Sequence, residues 1–430
     1  MDSLWRQTVE LPRFAPLERD ANTDVLIIGG GMAGLLCAYE LTRAGADCVL
    51  LEADRICGGV TENTTAKITA QHGLIYHKLL RRFGADRARL YLHANQEAVE
   101  RYRQMCGHMD CEFQQQDNYV YAQSSDKVEQ EMEALRVLGA SAELVHSTPL
   151  PFPVEGAVCF RNQGQFHPLK FVAGLVEGLP IHERTKVLEL KSGEAVCHGG
   201  TIRARHIIVA THFPMLNKHG SYFLKLHQHR SYVLAFKNAP EFDGMYVDEA
   251  QSGLSFRRYG ELLLLGGGGH RTGKQGGGWR ALESFARHYW PKVREAGRWA
   301  TQDCMTLDDM PYVGRYSGRT PGLYVATGFN KWGMTFSMVA ARLLTDLIQE
   351  KKNPYERLFS PSRSILHPQL AANAAQAVVG LLTPGPRCPH MGCVLKYNRE
   401  EHSWDCPCHG SRFTREGQLI NNPATDDKKM

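Results

Sequence analysis

The sequence has no long apolar run near its start, no cluster of basic residues, no internal repeat and little net charge. Its first twenty residues, MDSLWRQTVELPRFAPLERD, mix acids, bases and prolines. They hold no stretch long enough for a signal-peptide core or a membrane span, so a cytoplasmic protein is expected. The formal net charge is only +5 over 430 residues. Without a Lys/Arg run, neither nucleic acid nor a membrane surface is an expected partner. The composition, 43% hydrophobic and 22% charged, is that of an ordinary soluble globular protein. The length exceeds what one hydrophobic core supports, so at least two folded units are expected.

Twelve cysteines are present, but no short secreted scaffold surrounds them. Eight are scattered from Cys37 to Cys304 and read as reduced thiols. The other four, Cys388, Cys393, Cys406 and Cys408, crowd together near the C-terminus with two histidines among them.

At the other end, the apolar run Asp24-Val-Leu-Ile-Ile28 leads into Gly29-Gly-Gly-Met-Ala-Gly34 and then a helical pattern through Leu35, Leu36, Tyr39 and Leu41. Strand, tight turn and helix follow. Gly29 permits the turn, Gly31 lets backbone approach a pyrophosphate, and Gly34 permits close helix–strand packing. A second strand, Cys48-Val-Leu-Leu-Glu52, ends in an acid about twenty residues beyond the glycines. A carboxylate there accepts hydrogen bonds from ribose hydroxyls and repels a 2′-phosphate, which disfavours NADP. FAD and NAD both remain open on these residues. Later segments point to FAD. His206-Ile-Ile-Val-Ala210-Thr211 reads as a strand ending in small residues. Gly322-Leu-Tyr-Val-Ala-Thr-Gly328 is another, followed by Phe329-Asn-Lys-Trp-Gly-Met-Thr335 and a helix. That second loop aims a positive helix end at another part of the cofactor.

Over roughly residues 22 to 350 the chain resembles the D-amino-acid oxidase and glycine oxidase superfamily of FAD-dependent oxidoreductases. The resemblance rests on Gly29-x-Gly31-x-x-Gly34 with Glu52, on Gly58-Gly-Val-Thr-Glu-Asn-Thr-Thr-Ala-Lys-Ile-Thr69, and on Thr306-Leu-Asp-Asp-Met-Pro-Tyr-Val-Gly314 leading to the Gly328 loop. It implies a Rossmann-like α/β domain with an interleaved α+β substrate domain. Implied FAD contacts are Gly29, Gly31, Ala33, Gly34 and Glu52; then Gly59, Thr61, Thr64, Thr65, Ala66 and Lys67. Val187, Ala210 and Thr211 follow, with Gly328, Lys331, Gly333, Met334 and Thr335 in the last loop.

Near the C-terminus, Cys388-Pro-His390-Met-Gly-Cys393 and Cys406-Pro-Cys-His409-Gly-Ser411 form two loops. Facing each other, they offer two thiolates and two imidazoles to one site, with Cys388, His390, Cys406 and His409 as candidate ligands. A Rieske cluster uses this set; a structural zinc site could be built from it too. Zinc has no use for the two further cysteines, both glycines and the serine. Over residues 387–424 the motif resembles the disulfide-bearing Rieske proteins. The resemblance implies a [2Fe–2S] cluster, a bridge between Cys393 and Cys408, and a Ser411 hydroxyl bonded to a bridging sulfide. The usual lead-in strands are missing: residues 371–386 read as a short helix and a proline turn. The expected result is an abridged, β-rich domain leaning on the flavin domain.

The chain therefore divides into an FAD-binding part (1–80, 148–215 and 305–352), a substrate part (81–147 and 216–304), a polar linker and lead-in (353–385) and a cluster domain (386–430). On the substrate side Arg230, Arg257, Arg258, His270, Arg271 and Lys331 are cations that could surround the flavin ring; an arginine among them would clamp a carboxylate. Arg230, Arg258, His270 and Lys331 are the candidate catalytic residues. His167 is either part of a family segment or a turn histidine. The leading reading is an FAD-dependent dehydrogenase of a small amine or amino acid that passes single electrons through the cluster to an acceptor protein. A reductase fed through the cluster, and a non-enzymatic electron carrier or redox sensor, are the alternatives.

Overall fold

The computed structural model describes residues 2–216, 219–250 and 253–428. The first apolar run forms the strand Ala21–Ile28, whose last four residues are buried. It pairs in parallel with Cys48–Leu51 on one side and Gly200–Val209 on the other. Leu323–Thr327 extends the sheet in parallel, Tyr312–Arg315 closes that edge antiparallel, and Ile181–His182 closes the opposite edge. Strands covered on both faces read as continuous apolar runs, which is how this sequence reads them. The helices Met32–Arg43 and Gly333–Ile348 pack together, burying Leu35, Leu36, Phe336 and Leu343 completely. Each such side chain contributes roughly 1.5–3 kcal/mol of burial energy.

A second sheet runs in spatial order Arg294–Met305, His227–Lys237, Leu262–Arg271, Ser255–Tyr259, Met245–Asp248, Gln114–Ala122, Gly156–Gln165 and Lys67–Ile68. The helices Ala85–Cys106 and Ser125–Leu138 lie in the segment assigned from sequence to the substrate part. Gly156–Gln165 and Lys67–Ile68 fall in segments expected to belong to the FAD-binding part. Their strand partners lie in the second sheet, because Gly156–Gln165 pairs along its length with Gln114–Ala122. Such long-range pairing leaves no local trace.

The polar stretch read as a linker is tied down. Tyr355, Leu358 and Phe359 are buried, and the Arg363 guanidinium donates to both oxygens of Asp308 at 2.7 Å while lying 3.8 Å over the Tyr312 ring. The lead-in is a full helix, Pro368–Leu382, begun by proline after a capping His367. Its inner face carries Gly380, where a Cβ would stand 2.7 Å from the Cys408 sulfur. The helix thus takes the place of lead-in strands and approaches the second ligand loop closely. A four-stranded antiparallel sheet completes the C-terminus: Lys396–Asn398, Ser403–Asp405, Arg412–Phe413 and Leu419–Asn421. Among the described residues no helix is long and apolar enough to cross a membrane.

Candidate functional site

Parallel register between Ile28 and Leu51 brings the two strand ends together. The Gly29 amide donates to the Leu51 carbonyl (2.8 Å), and the Gly30 amide to the Glu52 carboxylate (2.7 Å). Gly29 has φ +112°, and a Cβ on Gly34 would stand 1.9 Å from the Gly29 carbonyl oxygen, so both positions require glycine. Neither Met32–Arg43 nor Gly333–Ile348 has a side-chain N-cap, and residues of both first turns line one cavity of about 700 Å³. Two uncapped helix N-termini present amide donors and positive dipole ends to it. The volume lies within the range of cofactor sites, roughly 300–1,000 Å³.

The residues present fit FAD. Gly29, Gly31, Ala33, Glu52, Gly59, Thr61, Thr64, Thr65 and Lys67 line the cavity, as do Val187, Ala210, Thr211, Gly328, Lys331, Gly333 and Met334. Gly34, Ala66 and Thr335 stand behind this lining: Gly34 against Gly29, Ala66 with its carbonyl accepting from Arg257, and Thr335 with its hydroxyl 3.0 Å from His72 Nε2. Burial raises the Glu52 pKa, while the amides of Asp54 and Gly30 oppose the rise. Its oxygens keep lone pairs for ribose hydroxyls. Glu52→Ala is expected to weaken FAD binding about tenfold, measured by flavin fluorescence titration; unchanged affinity would leave Glu52 a strand-end charge.

Lys67 is half-buried at the cavity, and its pKa is pushed down to about 7 by desolvation first and by the neighbouring Arg257 charge second. The unfolded chain keeps this lysine protonated to about pH 10.4. Between pH 7 and that value the unfolded state binds more protons, so stability of the flavin-free protein rises with pH there. Lys67→Met is expected to flatten that part of a Tm-against-pH curve; an unaltered slope would contradict the assignment.

The sequence-derived catalytic candidates separate. Arg230 is buried, and its guanidinium grips Glu401 of the C-terminal domain, with Nε 2.9 Å from Oε1. It is not placed to clamp a substrate carboxylate. Arg258 donates to the Pro240 carbonyl (3.1 Å), and His270 lies between Tyr232 (3.0 Å) and the Arg271 carbonyl (2.9 Å); neither lines the cavity. Arg257 donates to the carbonyls of Thr65 and Ala66, and Arg271 to those of Pro407 and Cys408. Lys331 does line the cavity. Burial lowers its pKa and raises that of Asp303, and each charge opposes the other's shift. His167 caps the helix Pro168–Leu175 by accepting from the Lys170 amide, which settles it as a turn histidine.

The two ligand loops are built alike. The Gly392 amide donates to the Cys388 carbonyl and the Gly410 amide to that of Cys406, both at 2.9 Å. Cys388 and Cys406 hydrogen-bond through their sulfurs, and the His390 and His409 rings lie 5.0 Å apart at 88°. Burial pushes both imidazoles down to about 4, so they are neutral at pH 7 and able to ligate. His409 is 3% exposed, and its Nδ1 has no hydrogen-bond partner among the described residues. A buried, orphaned imidazole nitrogen beside paired thiols fits a metal cluster. Ser411 accepts from the Ala424 amide (3.0 Å) and also bonds to Cys388.

The sulfurs of Cys393, Cys406 and Cys408 lie within 4.8 Å of one another. This triple leaves both imidazoles idle, whereas the set Cys388, His390, Cys406 and His409 employs them. The Cys393–Cys408 bridge implied by the resemblance is not formed in this structure; both are free thiols, brought near each other by the loop geometry.

Several residues of the site carry no sequence signal. Trp5 is fully buried and donates to the Thr64 carbonyl (2.7 Å), fixing the threonine segment from the far N-terminus. His72 lines the cavity, stacked on Trp332 at 4.8 Å. Asp303, His212 and Phe213 line it too. An acid between Gln302 and Cys304 inside a strand, the one trace of Asp303, is too common to single out.

Fold and site together define a flavin-dependent oxidoreductase carrying an iron–sulfur domain. Residues 24–347 match the family of FAD dependent oxidoreductases (DAO), and residues 381–429 match the Rieske [2Fe-2S] domain. The chain belongs to that FAD-dependent oxidoreductase family, is an enzyme of it, and takes FAD and a [2Fe-2S] cluster as cofactors. It is 36% identical to the putative Rieske 2Fe-2S iron-sulfur protein YhfW of Bacillus subtilis, over 100% of this chain and 97% of that one. It is 24% identical to the gamma-glutamylputrescine oxidoreductase of Escherichia coli, over 78% and 86% of the two chains. The crystal structure of glycine oxidase from Geobacillus kaustophilus shares the fold, with a TM-score of 0.64 at 19% identity over 80% of this chain and 99% of that one. The Rieske match sets the zinc reading aside.

Proposed function

We propose that the enzyme dehydrogenates a small amine or amino acid and passes the electrons one at a time to an acceptor protein, with Cys388, His390, Cys406 and His409 as cluster ligands. The observation that carries this reading is the turn after the strand Gly200–Val209. Thr211, His212 and Phe213 line the FAD cavity, and Phe213 faces both imidazoles, 6.1 Å from His390 and 6.3 Å from His409 between ring centroids. One side chain spans the space between the two cofactor sites. When bound, FAD takes a hydride from the C–H beside the substrate nitrogen and the cluster carries single electrons. The remaining chemistry belongs to the protein. A substrate entering as an ammonium can yield its proton to Asp303, whose raised pKa suits it to hold one. Lys331 can pair with a substrate carboxylate.

A cavity lined by Lys331 and Asp303, whose charges oppose each other's desolvation shifts, speaks against a pure electron carrier. An anaerobic metabolite screen that follows flavin bleaching tests the proposal. Amines or amino acids are expected to bleach the flavin; bleaching by a reduced ferredoxin alone would reverse the direction and make the enzyme a reductase.

A further inference from the structure

The cavity that fits FAD is not enclosed by the flavin-binding fold alone. Leu419, Ile420, Asn421, Asn422, Pro423, Ala424 and Thr425 of the Rieske domain line it as well. This strap is anchored at two places on the nucleotide sheet. The Asn422 side-chain amide donates to the carbonyls of Thr211 and Phe213, the latter at 3.1 Å. Lys186, next to Val187 on the other side of the cavity, donates to the Thr425 carbonyl and pairs with Asp426 at 3.4 Å. Midway, the Ala424 amide reaches back to Ser411, which bonds to Cys388. One side of the strap therefore faces the flavin cavity and the other touches the cluster loops.

The rest of the domain is fastened to the second sheet. Glu401 accepts from Arg230 and Tyr232, and Gln302 donates to the Gly410 carbonyl at 2.9 Å. The domain thus bridges both sheets and closes the cavity between them.

We propose that the flavin site is composite: residues 419–425 of the cluster domain are an FAD-binding element, and FAD binding and docking of the cluster domain strengthen each other. A ligand that contacts two bodies across their interface favours the docked arrangement, and by linkage anything that loosens docking weakens the ligand. Asn422 acts as a positioning residue, because its side chain holds the strap against the turn that lines the cavity.

Two full-length variants and one measurement on the unaltered protein test this. Asn422→Ala removes an anchor at the cavity. Glu401→Gln loosens docking from a residue outside the cavity lining. FAD is stripped and titrated back while flavin fluorescence is followed, with iron measured in each preparation. Both variants are expected to bind FAD about tenfold more weakly while keeping their iron. Hydrogen exchange of the amides of residues 419–425 in the unaltered, iron-loaded protein is expected to slow when FAD is added. Unchanged FAD affinity in both iron-retaining variants overturns the proposal. So does exchange that ignores FAD, and that measurement decides alone if a variant loses its iron.

Discussion

A His409→Ala protein is expected to purify with its FAD and without its iron. The ring it removes is buried against Phe213, Phe223 and His390, and its Nδ1 has no hydrogen-bond partner among the described residues. With three of the four proposed ligands left, the iron of the imidazole pair keeps only His390 and an open position. Anaerobic preparations should fall from about two irons per chain to less than one, with flavin absorbance retained because His409 does not line the cavity. Parallel loss of flavin would mean that the cluster loops shape the cavity more directly than the contacts indicate.

The second large effect belongs to Gly34. A Cβ at this position stands 1.9 Å from the Gly29 carbonyl oxygen and 3.4 Å from the Ile27 side chain. Backbone on one side and a packed core on the other cannot both give way. Gly34→Ala must push the helix Met32–Arg43 off the strand, and with it the uncapped N-terminus that faces the cavity. The cost of such overpacking is typically about 1–3 kcal/mol. The expected protein has a lower Tm and is isolated without flavin; normal flavin content would show that the helix shifts without disturbing the phosphate-binding turn.

What the sequence made legible are features of short range. The glycines from Gly29 to Gly34, the acid at Glu52 and the paired Cys/His loops each specify a turn or ligand set within a few residues, so spacing alone reveals them. The role of Arg230 was not legible: one arginine among several cations reads as a substrate clamp until Glu401, 171 positions later, is seen to occupy it. Asn422 is likewise an ordinary residue before a proline until tertiary structure sets its side chain on Thr211 and Phe213. Trp5 and Asp303 act through contacts distant in sequence. The missing lead-in strands were visible, whereas their replacement by the helix Pro368–Leu382 against Cys408 emerged only from packing around Gly380.

In the proposed reaction, electrons enter at the flavin and leave through the cluster. Anaerobic rapid-freeze electron paramagnetic resonance, after mixing with an amine that bleaches the flavin, tests it most directly. The reduced-cluster signal is expected to grow after flavin bleaching begins, and a Phe213→Ala variant should lengthen the interval between bleaching and signal. A cluster that stays oxidised while the flavin is fully reduced, with iron content intact, would contradict the account.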